Sequence, residues 1–392
     1  MGIPARGHDR HRPGVTASRD YPKTVAPVLQ RGSTVLLPTA ADLYRDDIAT
    51  YGLEGLSSHI ELGAALMDLE HGCTTVLYPS GLSAITCALM AVVKAGEQIL
   101  CVDSVYKPTR RFCDEVLGSF GVTTTYYDPA LSPEDILAQA SGQTRVIVLE
   151  SPGSLTFEFQ DVPKIARLAR DAGILTLIDN TWAAGVLFKP LDHQVDISVQ
   201  ALTKYVGGHS DLFMGSAVVS DPELGKRLVR SHKALGLGVS PDDAWMMLRG
   251  LRTLDVRLAR HGETALDLAR WLATQDSVHR VLHPALPDCP GHALWKQQFS
   301  GACGLFAIEM APGSDQAVAA FLDALKVFGL GFSWGGFESL AINCDPQLKA
   351  RVFPASTSGP LIRLHAGLEP FETLQQDLVR ALDAYDRARM PA

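Results

Sequence analysis

The 392-residue chain has no HExxH and no other short histidine or cysteine spacing of the kind that holds a metal, which argues against a catalytic metal. Its seven cysteines, Cys73, Cys87, Cys101, Cys113, Cys289, Cys303 and Cys344, include no CxxC and no close pairing pattern. They read as reduced residues of apolar stretches rather than a disulfide framework. Neither a GxGxxG fingerprint nor a Walker loop is present, which disfavours nucleotide binding. The longest strongly apolar stretch, around 85–93, is too short to cross a bilayer, and no secretory apolar segment opens the chain. A cytoplasmic protein with no membrane partner is the expectation. Positive charge is in slight deficit, 35 Lys and Arg against 43 Asp and Glu for a net charge of −8. No basic, aromatic-interleaved patch offsets this, so nucleic acid is not an expected partner either.

What is present is a large globular composition, 46% hydrophobic and 20% charged, with a clear rhythm. The first twenty or so residues read as a mobile tail. From 25 to about 55 the apolar residues are scattered among Pro, Asp and Arg, so this segment should drape over its own domain or a partner subunit. From Ser58 onward, helical patterns alternate with short apolar runs: a helix at 58–70, TTVLY, a helix at 82–93, QILCVD, RVIVL, a helix at 163–172 and ILTLI. DISVQALTKY and FMGSAVV extend the series. Such runs are the buried strands of a mostly parallel sheet with helices on both faces. Beyond about 250 a long helix, the strands LFAIEM and LIRLH and a closing helix suggest a smaller α/β domain.

Candidate chemistry gathers at strand ends. Lys204 in ALTKY lies at the end of an apolar strand-like segment, where a desolvated amine could form a Schiff base or act as a base; the plainer alternative is a solvated lysine. Asp179 in LTLIDNTW sits where open α/β sheets place ligands and could pair with a protonated ring nitrogen, or simply cap a turn. PSGLSA places the N–H groups of Gly81 and Leu82 at a helix start, a potential anion site. Tyr106 lies just past QILCVD, where its ring could stack on a planar ligand. Tyr51, Trp182 and Trp334 are further aromatic candidates, each equally compatible with packing. Arg363, the charged residue within LIRL, is either a structural ion pair or a fork for a substrate carboxylate. Anion nest, ring, carboxylate, amine and fork together require a planar cofactor with a phosphate, an aldehyde and a pyridine nitrogen. Pyridoxal phosphate meets all five, whereas a dinucleotide needs no Schiff-base lysine.

With these residues in view, the chain closely resembles the Cys/Met-metabolism family of fold-type-I pyridoxal-phosphate enzymes from about residue 45 to its C-terminus. The motifs PSGLSAI, DSVYKPT, ESPGS, IDNTWAAGVLFKPLD, QALTKYVGGHSD, RGLRTLDVRL, HPALP, FSWGGFESL and LIRLHAGLEP carry the likeness. Within the family ESPGS, DNTWAAG and SWGG are most similar to the bacterial cystathionine β-lyases. The resemblance implies an α/β fold divided into an N-terminal tail and intersubunit arm (1–55), a large cofactor domain (56–250) and a C-terminal domain (251–392). It implies that Lys204 holds the cofactor covalently, Asp179 faces the pyridine nitrogen and Tyr106 stacks on the ring. Gly81, Leu82 and Thr203 would bind the phosphate, and Arg363 with Ser333 and Trp334 the substrate carboxylate. Tyr51 would reach into a neighbouring subunit's site, in a homotetramer built as a dimer of active-site-sharing dimers. The implied reaction is β-elimination from L-cystathionine to homocysteine, pyruvate and ammonia. The alternatives are a broader cysteine-thioether or cystine β-lyase and a γ-eliminating or γ-replacing relative. One departure stands out: the lyases commonly carry an arginine after the Tyr-Gly pair that reaches the neighbour's phosphate, where this chain has Leu53 and then Glu54.

Overall fold

A computed structural model describes residues 24–45 and 47–389; the expected N-terminal tail lies outside the described residues. Among the described residues twelve strands form two sheets. The larger contains β1 (Thr74–Tyr78), β2 (Gln98–Val102), β3 (Thr123–Tyr127), β4 (Thr144–Glu150), β5 (Leu175–Asp179), β6 (Ile197–Gln200) and β7 (Gly215–Val219). Their order is β1-β7-β6-β5-β4-β2-β3. Adjacent strands from β6 to β3 run parallel, while β7 is antiparallel to both neighbours, so this last strand departs from the parallel pattern. The inner strands β4 to β7 are apolar along most of their length because both faces are covered by helices.

The edge strand β3, TTTYY, gave no such signal, since an edge strand is shielded less and its threonines and tyrosines suit a half-exposed surface. The same applies to β8 (Val278–Leu282), an edge of the second sheet, whose VHRVL is exposed at His279 and half-buried at Arg280. With β9 (Leu305–Met310), β10 (Gly329–Leu330), β11 (Leu340–Asn343) and β12 (Leu361–His365) it forms the order β10-β11-β12-β9-β8. Helices Asp315–Ala324 and Phe371–Arg389 cover that sheet with Phe321, Leu374, Leu378 and Tyr385. The larger apolar core runs on into Leu282, Phe299, Leu305 and Ala307, so the two sheets share packing rather than hanging from a linker.

The segment 25–55 holds two short 3₁₀ turns and lies partly on its own chain. Trp245 Nε1 donates to the Pro27 carbonyl at 3.2 Å, Arg252 donates to Val25 at 3.0 Å, and Arg31 pairs with Asp242. It leaves Val25 at 94% and Tyr44 at 90% exposure, an apolar surface that the described residues do not cover. No helix among the described residues is long and apolar enough to cross a membrane. All seven cysteines are free; Cys73 is exposed, against the expectation of a buried residue, and the other six are buried.

Asp103, directly after β2, joins the two parts of the chain. It is fully buried, pairs with Arg110 and with Arg351 (3.4 Å), and accepts the N–H groups of Val352 (3.0 Å) and Phe353 (2.7 Å). Removing one partner of a buried ionic network strands the others. Asp103→Ala (D103A) should therefore cost about 3–5 kcal/mol, read as a lower urea midpoint; a midpoint within error of the parent would show that the network contributes no net stability.

Candidate active site

Strands β4, β5 and β6 are adjacent and parallel, so their carboxyl ends share one edge of the sheet, and the residues that leave them are tied together. Asp179 closes β5, and its Oδ1 accepts the Thr181 N–H at 3.0 Å and the Thr181 hydroxyl at 2.5 Å. That hydroxyl in turn accepts the N–H of Ala201, the first residue past β6, at 2.8 Å. One threonine thus fixes the spacing between the ends of two strands. Burial pushes the Asp179 carboxyl upward, while the Thr181 hydrogen bonds and the charge of Lys204 hold it back.

Lys204 does not end a strand, as its apolar context suggested. It sits four residues beyond β6, in a tight turn where its N–H donates to Ala201 at 3.0 Å and its carbonyl accepts from Gly208 at 2.8 Å. Thr203 beside it bonds reciprocally with Met214, its N–H donating to the Met214 carbonyl at 3.2 Å and its hydroxyl accepting the Met214 N–H at 3.0 Å, which closes the excursion back onto β7. The turn is held from beneath by Arg257, whose buried guanidinium donates to the carbonyls of Tyr205 (2.6 Å) and Gly250 (2.7 Å). Gly208 has φ +72°, and a Cβ there would lie 2.0 Å from an Arg257 nitrogen, so glycine is required on both counts.

Ser333 is the meeting point of the site. Its hydroxyl accepts from Lys204 Nζ at 2.7 Å, and its carbonyl accepts from Arg363 Nη2 at 2.9 Å. It does so from a left-handed backbone conformation, φ +87°, uncommon for a residue with a side chain. The next glycine, Gly335 at φ +85°, packs so closely that a Cβ would stand 3.0 Å from the Lys204 backbone. The Trp334 ring lies 5.4 Å from Nζ. Arg363, on β12, is buried, and no carboxylate of the described residues pairs with it. A guanidinium held out of water without an anion is prepared for an anionic ligand. Burial first, and then the charge of Arg363, depress the Lys204 amine to about 8, with Asp179 opposing.

The helix Gly81–Val92 begins against this turn: a Cβ on Gly81 would come 2.4 Å from that of Ala201. Ser80 caps the helix by accepting the Ser83 N–H at 3.1 Å, which leaves the first-turn N–H groups of Gly81 and Leu82 without an acceptor in helix or cap. Tyr106 stands at the pocket edge, 43% exposed, with its phenol pushed up by burial and by the charges of Asp179 and Glu150. Tyr51 is not brought to the pocket by any hydrogen bond of the described residues; it lies half-exposed on the arm, in a backbone bridge with Thr34. Two residues escaped the sequence reading. Thr181 was legible as the short hydroxyl two positions after a strand-end aspartate, and Glu150 as a second carboxylate ending a strand, in ESPGS.

A family model described as Cys/Met metabolism PLP-dependent enzyme matches residues 16–383. The chain belongs to this family. A cystathionine beta-lyase of Haemophilus influenzae is 40% identical over 368 residues, 91% of this chain and 92% of that protein. An L-alanine/L-glutamate racemase of Wolbachia pipientis is 38% identical over 389 residues, covering 95% and 94%. Among solved structures, cystathionine gamma synthase of Xanthomonas oryzae in complex with cystathionine superposes with a TM-score of 0.87 at 33% identity, covering 93% and 94%. The Cys/Met-metabolism chain is therefore a pyridoxal-phosphate enzyme of the α/β fold anticipated from its motifs. Its pocket chemistry fits that cofactor: an amine of lowered basicity, a carboxylate on a strand end, unpaired helix N–H groups and an unpaired guanidinium.

In cofactor-free protein the folded chain holds the Lys204 proton less tightly than the unfolded chain does. Between about 8 and 10.5 the unfolded state therefore binds more protons, and this group's contribution to stability rises with pH across that window. Labelling of Lys204 by an amine-reactive reagent should show a midpoint near pH 8. Arg363→Ala (R363A) should move it upward by removing a positive neighbour; a midpoint unchanged or lowered would contradict the assigned electrostatics.

Proposed function

We propose that this enzyme is a carbon–sulfur lyase acting on cystathionine-like thioethers, with β-elimination from L-cystathionine as its principal reaction. The observation that carries the reading is the Ser333 clamp, which sets a poorly basic amine beside an unpaired buried guanidinium. When bound, pyridoxal phosphate supplies an electron sink that makes the Cα–H bond of an amino acid breakable near neutral pH. Arg363 orients the substrate through its α-carboxylate, with Ser333 and Trp334 beside it. Lys204, released from covalent duty, takes the Cα proton at Nζ and returns a proton to the departing sulfur, with Tyr106 or Tyr51 assisting. Loss of the Cα proton and the Cβ–S bond, followed by addition of water, gives homocysteine, pyruvate and ammonia. Gly81, Leu82 and Thr203 are the proposed phosphate ligands, and Asp179 is the partner of the pyridine nitrogen.

The test is a panel of thioethers on purified holoenzyme, with pyruvate and 2-oxobutyrate quantified separately. Cystathionine should yield pyruvate; 2-oxobutyrate from it would assign a γ-eliminating relative, and a much better cysteine conjugate or cystine would assign the broader β-lyase. The Wolbachia relative favours one more measurement in the same assay, chiral analysis of alanine and glutamate, because racemisation begins with the same Cα proton. Lys204→Ala (K204A) should abolish both turnover and the visible absorbance of bound cofactor.

The arm is the proposed intersubunit element, its exposed apolar residues covered by a second copy whose pocket receives Tyr51. The position of Leu53 then matters. It packs on Gly238, where a Cβ would stand 2.3 Å from its Cδ1, and Glu54 is neutralised by Lys233 at 2.7 Å rather than left to repel an anion. Leu53→Arg (L53R) should add a charge-assisted hydrogen bond to phosphate worth about 1–3 kcal/mol, roughly 5- to 150-fold in cofactor Kd. Unchanged retention on dialysis would show that another group already fills that role.

A further inference from the structure

Glu150 closes β4 directly beside Asp179 on β5, in register, and parallel strands in register present such neighbours to the same face of the sheet. Four carboxylates crowd this corner, and three have compensating charge. Asp103 is held by Arg110 and Arg351, Glu158 by Arg351 at 2.8 Å, and Asp179 by Thr181 and the nearby Lys204. Among the described residues Glu150 has no cation, and its one side-chain hydrogen bond is from the Tyr106 backbone N–H, 2.7 Å to Oε2. The groups that face it are Asp179 from β5, Cys101 from β2, the Tyr106 amide and Glu158, and none of them carries positive charge. An uncompensated carboxylate in that company is most stable with its proton on.

We propose that Glu150 is a positioning residue that works as a neutral carboxylic acid: it anchors the Tyr106 backbone, and hence the stacking ring, without placing a second negative charge next to Asp179. Burial and the neighbouring Asp179 both push its carboxyl well up, in keeping with that state. The division of labour is chemical. An ionised pair at these adjacent positions would double the negative charge under the ring and drive one member to take a proton. Thr181 donates twice to Asp179 and so stabilises the anion there, whereas Glu150 lacks any such donor beyond one amide. The proton therefore resides on Glu150, and Asp179 stays ionised for the pyridine nitrogen. This role rests on the cofactor reading above, but the protonation state does not.

The decisive comparison is Glu150→Gln (E150Q) against Glu150→Ala (E150A). Glutamine reproduces a neutral carboxyl and keeps the acceptor for Tyr106, so E150Q should retain kcat/KM within about threefold and an unshifted pH profile of the cofactor absorbance. E150A should lose about 10- to 100-fold, chiefly in kcat, as the ring loosens. Infrared difference spectra of cofactor-free protein at pH 7, parent minus E150Q, should show one carboxylic-acid carbonyl band and no loss of carboxylate bands. A difference made of carboxylate bands overturns the proposal, as does an E150Q as impaired as E150A. The infrared result holds whether or not E150A folds, and a parent protein that fails to bind pyridoxal phosphate would sink the cofactor reading while leaving it intact.

Discussion

The site depends on a cation held without an anion. Arg363 is buried on β12, where it donates to the backbone carbonyl of Ser333, and its uncompensated charge reaches Lys204. Desolvating a guanidinium is expensive, and a fold that does so without supplying a carboxylate keeps that attraction for a ligand. The same charge lowers the basicity of the Lys204 amine. In the proposed reaction it serves a second time, receiving the substrate carboxylate, and the bound anion would then offset the field that depressed Lys204 and raise the lysine's affinity for the Cα proton.

Geometry is imposed from two directions. The large sheet supplies Asp179 and Lys204 from neighbouring strand exits, with Thr181 as the spacer, and the smaller sheet supplies Arg363 and the Ser333–Gly335 loop. Between them there is almost no slack: Gly81 against Ala201 and Gly335 against the Lys204 backbone are approaches that a single methyl group would obstruct. Asp103 and its two arginines hold the same two parts together near Tyr106. The pocket is therefore a joint between sheets, and its precision is the precision of that joint.

Much of this was legible in the chain. Apolar runs revealed the inner strands because burial on two faces leaves little room for polar residues, and strand ends located Asp179 because ligands gather there in open sheets. The motifs linked Lys204, Arg363 and Ser333 before any coordinates did. What remained hidden had no local signature. Strands β3, β8 and β10 lie at sheet edges, where composition is less constrained, and β11 is only four residues long. The turn of Lys204 past β6 follows from Arg257, fifty-three positions away, binding its carbonyls, and the positive φ of Ser333 follows from packing alone. Glu150 acquires meaning only once register sets it beside Asp179.

The antiparallel strand β7 has a further consequence. In a wholly parallel sheet the chain leaving β6 would have to cross to the opposite end of the sheet before the next strand began. Because β7 runs back alongside β6, the segment 201–214 leaves and rejoins the sheet at the same edge, pinned at its base by Thr203 and Met214. In the proposed reaction that anchored backbone leaves the reach from Cα to sulfur to the four methylenes of the Lys204 side chain, so that one amine serves several atoms in turn from a single point of attachment.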